Sequence, residues 1–388
     1  MTRIFLSGIG GVERRDIVKR TQELGELYKP DTKIHSLSLG DSFRSVAAPF
    51  VGIEDRLIDL PDTIQRAMRS GITDKVAIKL AKYSSGDHVV VEGPLTIVDN
   101  SGQLHNTFFN ADFDVFSEPH INRQMDRFVS IVDDPTAMLK RKEGNAYPVR
   151  DTVHLLQWMG AEANRMSDVA YTHLGKVRSG RNIGLVWSRG YSDTFLLKLL
   201  EDGEDTPLVY FAYPMTHLKQ DASLPKDVND SRARNKEMVN SFREELEKYC
   251  AYVNPIELAD LRTTTEADRR YTAHRDLYYF VRQSPMVVAY FPADVHSTGV
   301  DAELKEATSL TKTTVLIHPA ELDSKSKHHP FSMTPTYHFR TADDFFAAVN
   351  DSKTNPRYRE LSVLLSRDGE PRYEKMIETI GPALKNRI

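Results

Sequence analysis

The stretch HSTGVDAELKEAT, residues 296–308, supplies hydroxyls, a glycine and carboxylates just after the apolar run PMVVAYFPADV. Its carboxylate of interest is Glu303. A second acid, Asp276, opens HRDLYYFVRQS, and a tyrosine, Tyr210, lies within the apolar run PLVYFAYPM. Two carboxylates that meet in one crevice can do acid–base or nucleophilic work. Breaking a base–sugar bond is one such reaction. Positive charge builds on the anomeric carbon, one carboxylate attacks or stabilises it, and a second acid protonates the leaving group. Glu303 reads as lying in the first turn of its helix, where the dipole favours the ionised form. Ser297, Thr298 and Gly299 stand where a helix N-terminus can hold an anion. Each residue also has a plain structural reading: a helix-start acid, a helix cap, or a tyrosine buried in a sheet.

The elements that must position these residues follow a repeating pattern. PLVYFAYPM reads as a strand, DSRARNKEMVNSFREELEKY as a long helix and AYVNPIEL as a short strand. HRDLYYFVRQS follows as a helix, MVVAYF as a strand buried on both faces, AELKEATSL as a helix and TTVLIHP as a strand. Strands alternating with helices predict a parallel, doubly wound sheet, with ligands beyond the carboxyl ends of its strands. The segments after Phe211, Glu257 and Phe291 are expected to converge there.

These three segments, spread over about 207–320, resemble the nucleoside 2-deoxyribosyltransferase family, which includes the 2′-deoxynucleoside 5′-phosphate N-hydrolases. The resemblance implies Glu303 as nucleophile, Asp276 as acid/base, and Tyr210 as the hydroxyl that orients the carboxylate. It further implies Ser297, Thr298 and Gly299 as phosphate contacts, because phosphate N-hydrolases carry serine where free-nucleoside transferases carry aspartate. Tyr213 and His217 are further candidate substrate contacts; the turn YPMTHLK departs from the family's glycine- and arginine-bearing first loop and offers His217 and Lys219 instead. The expected substrate is a (deoxy)nucleoside 5′-monophosphate, with no cofactor and no metal. Family members assemble so that neighbouring subunits complete each pocket, which implies a homo-oligomer.

The chain opens with a strand-like TRIFLSG, the glycine-rich GIGGVERRD and a helical VERRDIVKRTQELGELY offering Val18, Leu24 and Leu27 to one face. Strands are expected at DHVVVEGPL and RFVSIVDD, and helices over about 135–142 and 152–174. In the second helix Val153, Leu156, Met159, Ala163, Met166 and Ala170 recur at three- and four-residue steps. Set against the phosphate loop G-x-x-x-x-G-K-[ST], Gly8 starts the motif, Glu13 replaces its last glycine, Arg14 its lysine and Arg15 its hydroxyl residue. Residues 1–175 resemble the archaeal-type adenylate kinases through LSGIGGV, GDHVVVEGP and FVSIVDDPTAMLKRKEG, with Lys140, Arg141, Lys142 and Arg150 in the lid region. Gly8, Gly10, Gly11 and Arg14 are therefore candidate nucleotide contacts on a loop that has lost its key side chains.

The expected architecture is α/β with two doubly wound domains: a P-loop-kinase-like domain at 1–178 and a Rossmann-like, deoxyribosyltransferase-like domain at 179–388. The expected function is N-glycosidic hydrolysis of nucleotides. A deoxyribosyltransferase, a non-catalytic nucleotide sensor, and an active nucleotide kinase in the first half stand as alternatives.

Composition bounds the partners. With 388 residues, 27% of them charged, and a formal net charge of −4, nothing suggests a nucleic-acid polymer as partner. A single cysteine, Cys250, leaves no internal disulfide framework and no cysteine zinc cluster. His328 and His329 have no carboxylate at ligand spacing. No secretory segment and no apolar stretch of bilayer length is visible, so the expectation is a cytoplasmic protein without membrane contact.

Overall fold

The computed structural model describes residues 1–47, 60–99, 101–108, 112–113, 125–142, 151–173, 184–218, 220–254, 276–295, 297–319 and 335–385. The chain divides into two units, the first running through Asp205 and the second starting at Thr206. Among the sequence landmarks, Arg150, Lys219, Glu257, His296, His328 and His329 lie outside the described residues.

The first unit carries β1 (Arg3–Gly8), β2 (Ile34–Ser38) and β3 (His88–Glu92), then a small hairpin of β4 (Thr96–Val98) and β5 (Leu104–Asn106), then β6 (Arg127–Val132) and β7 (Gly184–Ser188). Outside the hairpin, the five strands pair in parallel in the order β2-β3-β1-β6-β7. β1 and β6 are buried at every position, as central parallel strands covered on both faces must be. Phe5 of β1 and Phe128 of β6 meet at 5.4 Å between ring centroids, and Phe113 caps Phe5 edge-on at 5.3 Å.

The boundary expected near residue 178 moves to 205. NIGLVW contributes β7, which pairs with β6 from Phe128↔Gly184 to Val132↔Ser188, and so completes the first sheet. The helix Ser192–Asp202 that follows also belongs to the first unit.

Two helix-face readings need adjusting. In the helix Arg14–Tyr28 the buried face is Ile17, Val18, Thr21, Leu24 and Gly25, and Leu27 falls off it, 54% exposed. In the helix Thr152–His173 the buried stripe begins at Leu155, and Val153, a turn too early to reach the sheet, is exposed. Both tryptophans of the chain lie in this unit: Trp158 is buried on that helix, and Trp187 of β7 stacks on Phe195.

The second unit carries β8 (Leu208–Ala212), β9 (Ala251–Val253), β10 (Met286–Tyr290), β11 (Thr313–Ile317) and β12 (Tyr337–Phe339), all parallel, in the order β12-β11-β10-β8-β9. The expected parallel α/β class holds for both sheets. Counted within this unit, the order is 2-1-3-4-5, and the strand order reverses between β8 and β10. A doubly wound sheet opens its crevice at that point, outside the carboxyl ends of the strands.

Alternation along the strands sorts side chains to two faces. Val209, Phe211, Met286, Val288, Val315 and Ile317 enter a core that includes Val239 and Phe242 of the helix Lys226–Leu246, and Phe345 of the helix Ala342–Asp351. Tyr210, one step out of phase, is left to the opposite face.

Candidate functional site

In the second unit the site grows from that phase relation. Tyr210 of β8 is fully buried, and its hydroxyl donates a hydrogen bond to Glu303 Oε1 at 2.7 Å. Glu303 projects from the helix Thr298–Ser309 and is itself buried. Asp276 begins a single π-helical turn, Asp276–Val281, and is 4% exposed. Isolated π turns concentrate at functional sites, because the extra residue re-aims side chains at the turn.

The electrostatics tie the three together. Burial, and then the negative charge of Asp276, push the Glu303 carboxyl up to about 8, while the hydrogen bond from Tyr210 pulls it back down. Burial disfavours the charged form, a like charge disfavours it further, and a hydrogen bond to the carboxylate favours it. While Asp276 is ionised, the Glu303 carboxyl is therefore the protonated member of the pair near neutrality. The expectation of a dipole-stabilised, ionised Glu303 in the first turn is corrected on both counts. The helix begins at Thr298, so Glu303 belongs to its second turn, and the acid of the first turn is Asp301. The dipole's effect fades beyond the terminal turn, and burial dominates.

Ser297 is the N-cap, and its Oγ accepts the Val300 amide at 3.5 Å. Thr298 and Gly299 follow in the first turn and are exposed. Tyr213 does not join Tyr210. It packs into the core on the other side of the sheet, where its hydroxyl donates to Asn254 Oδ1 at 2.6 Å. His217 ends the short 3-10 turn Met215–His217 and is half-buried.

In the first unit the glycine loop keeps a backbone suited to close turns. Gly11 has φ +94°, and Gly8 has φ +149° with no room for a side chain: a Cβ would meet Val12 Cγ2 at 2.8 Å and the Ile131 carbonyl at 3.0 Å. Gly10 lies between them in a turn. Arg14 folds back onto the loop, where its guanidinium donates to the carbonyls of Gly8 and Ile9 and pairs with Glu92 at 3.4 Å. Arg15 pairs with Glu92 and Asp41. Arg141, from the lid region, pairs with Asp133; burial pushes that carboxyl up even though Arg141 and Arg189 draw it down.

One residue of this unit escaped notice in the sequence. Glu162, 1% exposed, accepts the amides of Gly8 at 3.1 Å, Leu95 at 2.8 Å and Thr96 at 2.6 Å, together with the Thr96 hydroxyl. Burial raises its carboxyl, against the pull of these donors. A carboxylate in the middle of the apolar stripe Leu155, Met159, Ala163, Met166 was the available signal. Among the described residues, no group of three or more His, Cys, Asp or Glu is arranged to hold a metal ion, and no helix is long and apolar enough to cross a membrane.

No family model matches the chain. No curated protein matches it. Solved structures that match include a shikimate kinase from Bacteroides thetaiotaomicron, 14% identical, covering 52% of this chain and 98% of that one with a TM-score of 0.30. Another is an unliganded sugar kinase from Janibacter sp. HTCC2649, 10% identical, covering 51% of this chain and 91% of that one with a TM-score of 0.26. The α/β class rests on the two parallel sheets themselves.

Proposed function

We propose that the second unit is a glycosidase that cleaves the base–sugar bond of a (deoxy)nucleoside 5′-monophosphate. The observation that carries this reading is the buried Tyr210–Glu303 hydrogen bond, with the charge of Asp276 beside it at the sheet's switch point. Two interacting carboxylates titrate as a pair and hold one proton between them near neutrality. In the productive arrangement that proton sits on Asp276, and Glu303 is ionised under the Tyr210 hydroxyl. Glu303 attacks the anomeric carbon, the C–N bond breaks with its electrons passing to the base, and Asp276 protonates the departing base. Asp276, now ionised, takes a proton from water, which hydrolyses the glycosyl-enzyme and frees Glu303. No step calls for a metal or an organic cofactor.

A second reading, a deoxyribosyltransferase acting on a free nucleoside, draws support from Asp301. This buried acid in the first turn opposes a phosphate at Ser297–Gly299. The first unit is proposed as a P-loop-kinase-like scaffold without kinase activity, and the whole chain as a homo-oligomer. The deciding experiment incubates the protein with a panel of nucleosides and their monophosphates, and separates free base by chromatography. Base release by wild type that Glu303→Gln lowers at least about a thousandfold supports the mechanism; equal release by both, or none from wild type, removes it. Turnover confined to free nucleosides with a second base present selects the transferase.

A further inference from the structure

The glycine loop of the first unit ends at Glu13, and the backbone there is left-handed, with φ +54° and ψ +48°. This is the position at which a phosphate-binding loop has its last glycine. A non-glycine side chain is uncommon in that conformation and costs on the order of 1 kcal/mol. The loop has kept a glycine-type backbone while carrying a glutamate, so something must hold the glutamate in place. Its carboxylate pairs with Arg189, which follows β7, and the same guanidinium lies 3.6 Å from Asp133, which follows β6. Loops after β1, β6 and β7 thus meet around one guanidinium, Arg189, flanked by the carboxylates of Glu13 and Asp133 at the carboxyl end of the sheet. Two further basic groups of this unit are engaged in the same way: Arg14 by the loop carbonyls and Glu92, Arg141 by Asp133.

We infer that the Glu13–Arg189 ion pair is an autoinhibitory latch: the Glu13 carboxylate occupies the place of a phosphate in the loop, and the first unit takes no polyphosphate while the pair stands. The physical reason is double. A fixed carboxylate repels an incoming phosphate, and the guanidinium that would grip that phosphate is already neutralised. Replacing Glu13 by glycine restores the glycine position and releases Arg189 from one of its two carboxylates, leaving it 3.6 Å from Asp133. This inference concerns the first unit alone and does not depend on the chemistry proposed for the second.

The test is calorimetric titration of the full chain with inorganic tripolyphosphate and, separately, with Mg-ATP. Wild type is expected to show no saturable binding. Glu13→Gly is expected to bind at least about tenfold more tightly than the wild-type detection limit, and Glu13→Gly/Arg189→Gln to lose that gain. Glu13→Asn, which tolerates the left-handed backbone and removes the charge, serves as the second variant, and circular dichroism checks that each variant is folded. Binding by wild type as tight as by Glu13→Gly overturns the latch. Folded Glu13→Gly and Glu13→Asn that both fail to bind overturn the idea that a phosphate cradle lies beneath it.

Discussion

Tyr210 and Glu303, separated by 93 positions in the chain, share a buried hydrogen bond of 2.7 Å. Strand alternation fixes one partner and a helix beside β10 the other, so the contact is a product of the fold and not of local sequence. A carboxyl held there is raised to about 8 by burial and by Asp276.

That value sets the pH dependence of the proposed reaction. If the Asp276–Glu303 pair must carry one proton, kcat/KM falls as pH rises through about 8, where that proton is lost. Tyr210→Phe removes the interaction that holds the value down, so the falling limb moves to higher pH and the rate drops on the order of ten- to a hundredfold. A pH series of kcat/KM for both proteins checks this. A rate that keeps rising through pH 8 would show that the shared proton has no part in catalysis.

The same group has a thermodynamic signature independent of any substrate. Its folded value, about 8, lies above the ordinary 4.5, so the folded state binds the proton more tightly. Stability from this group is fully present below pH 4.5 and is lost progressively as pH climbs to about 8. Glu303→Gln imitates the protonated form at every pH. It should match wild type near pH 4.5 and exceed it by a few kcal/mol above pH 8, since a tenfold change in proton affinity corresponds to about 1.4 kcal/mol. Urea unfolding at the two pH values measures the difference. A variant less stable than wild type at both would mark Glu303 as a structural group.

Glu162 acts on stability through the donors it satisfies. Its carboxylate satisfies three buried amides, from Gly8, Leu95 and Thr96. Glu162→Ala strands those donors in a dry interior and should cost about 3 kcal/mol or more, since each unsatisfied buried group costs roughly 1–3 kcal/mol. Glu162→Gln keeps acceptor capacity on one oxygen and should cost less. Thermal unfolding of the two variants ranks them; equal and negligible losses would refute the clasp.

Much of the architecture is legible in the residue pattern. Apolar runs such as RFVSIV and MVVAY alternate with helical spacing, which demands parallel strands buried on both faces. The unit boundary is not legible, because GLVWS suits the end of one sheet as well as the start of another, and only pairing with β6 decides it. The substitution of Glu13 for a glycine is visible at once, whereas its partner Arg189 lies 176 positions away. Strand alternation sends Tyr210 and Tyr213, three positions apart, to opposite faces, but their partners Glu303 and Asn254 come only from the packed structure. The ionisation state of Glu303 is hidden for a related reason. The residue pattern sets the helix start too late for Glu303, and the degree of burial that overrides the dipole is a property of the packed structure.

The placement of the two indoles gives the molecule an intrinsic optical asymmetry. Trp158 and Trp187 both reside in the half that ends at Asp205, and the other half has none. Selectively excited tryptophan fluorescence therefore follows the melting of one half, while far-ultraviolet dichroism sums over both. Superimposing the two denaturation curves reveals, without labels or truncation, whether the halves lose order as one cooperative body or as two.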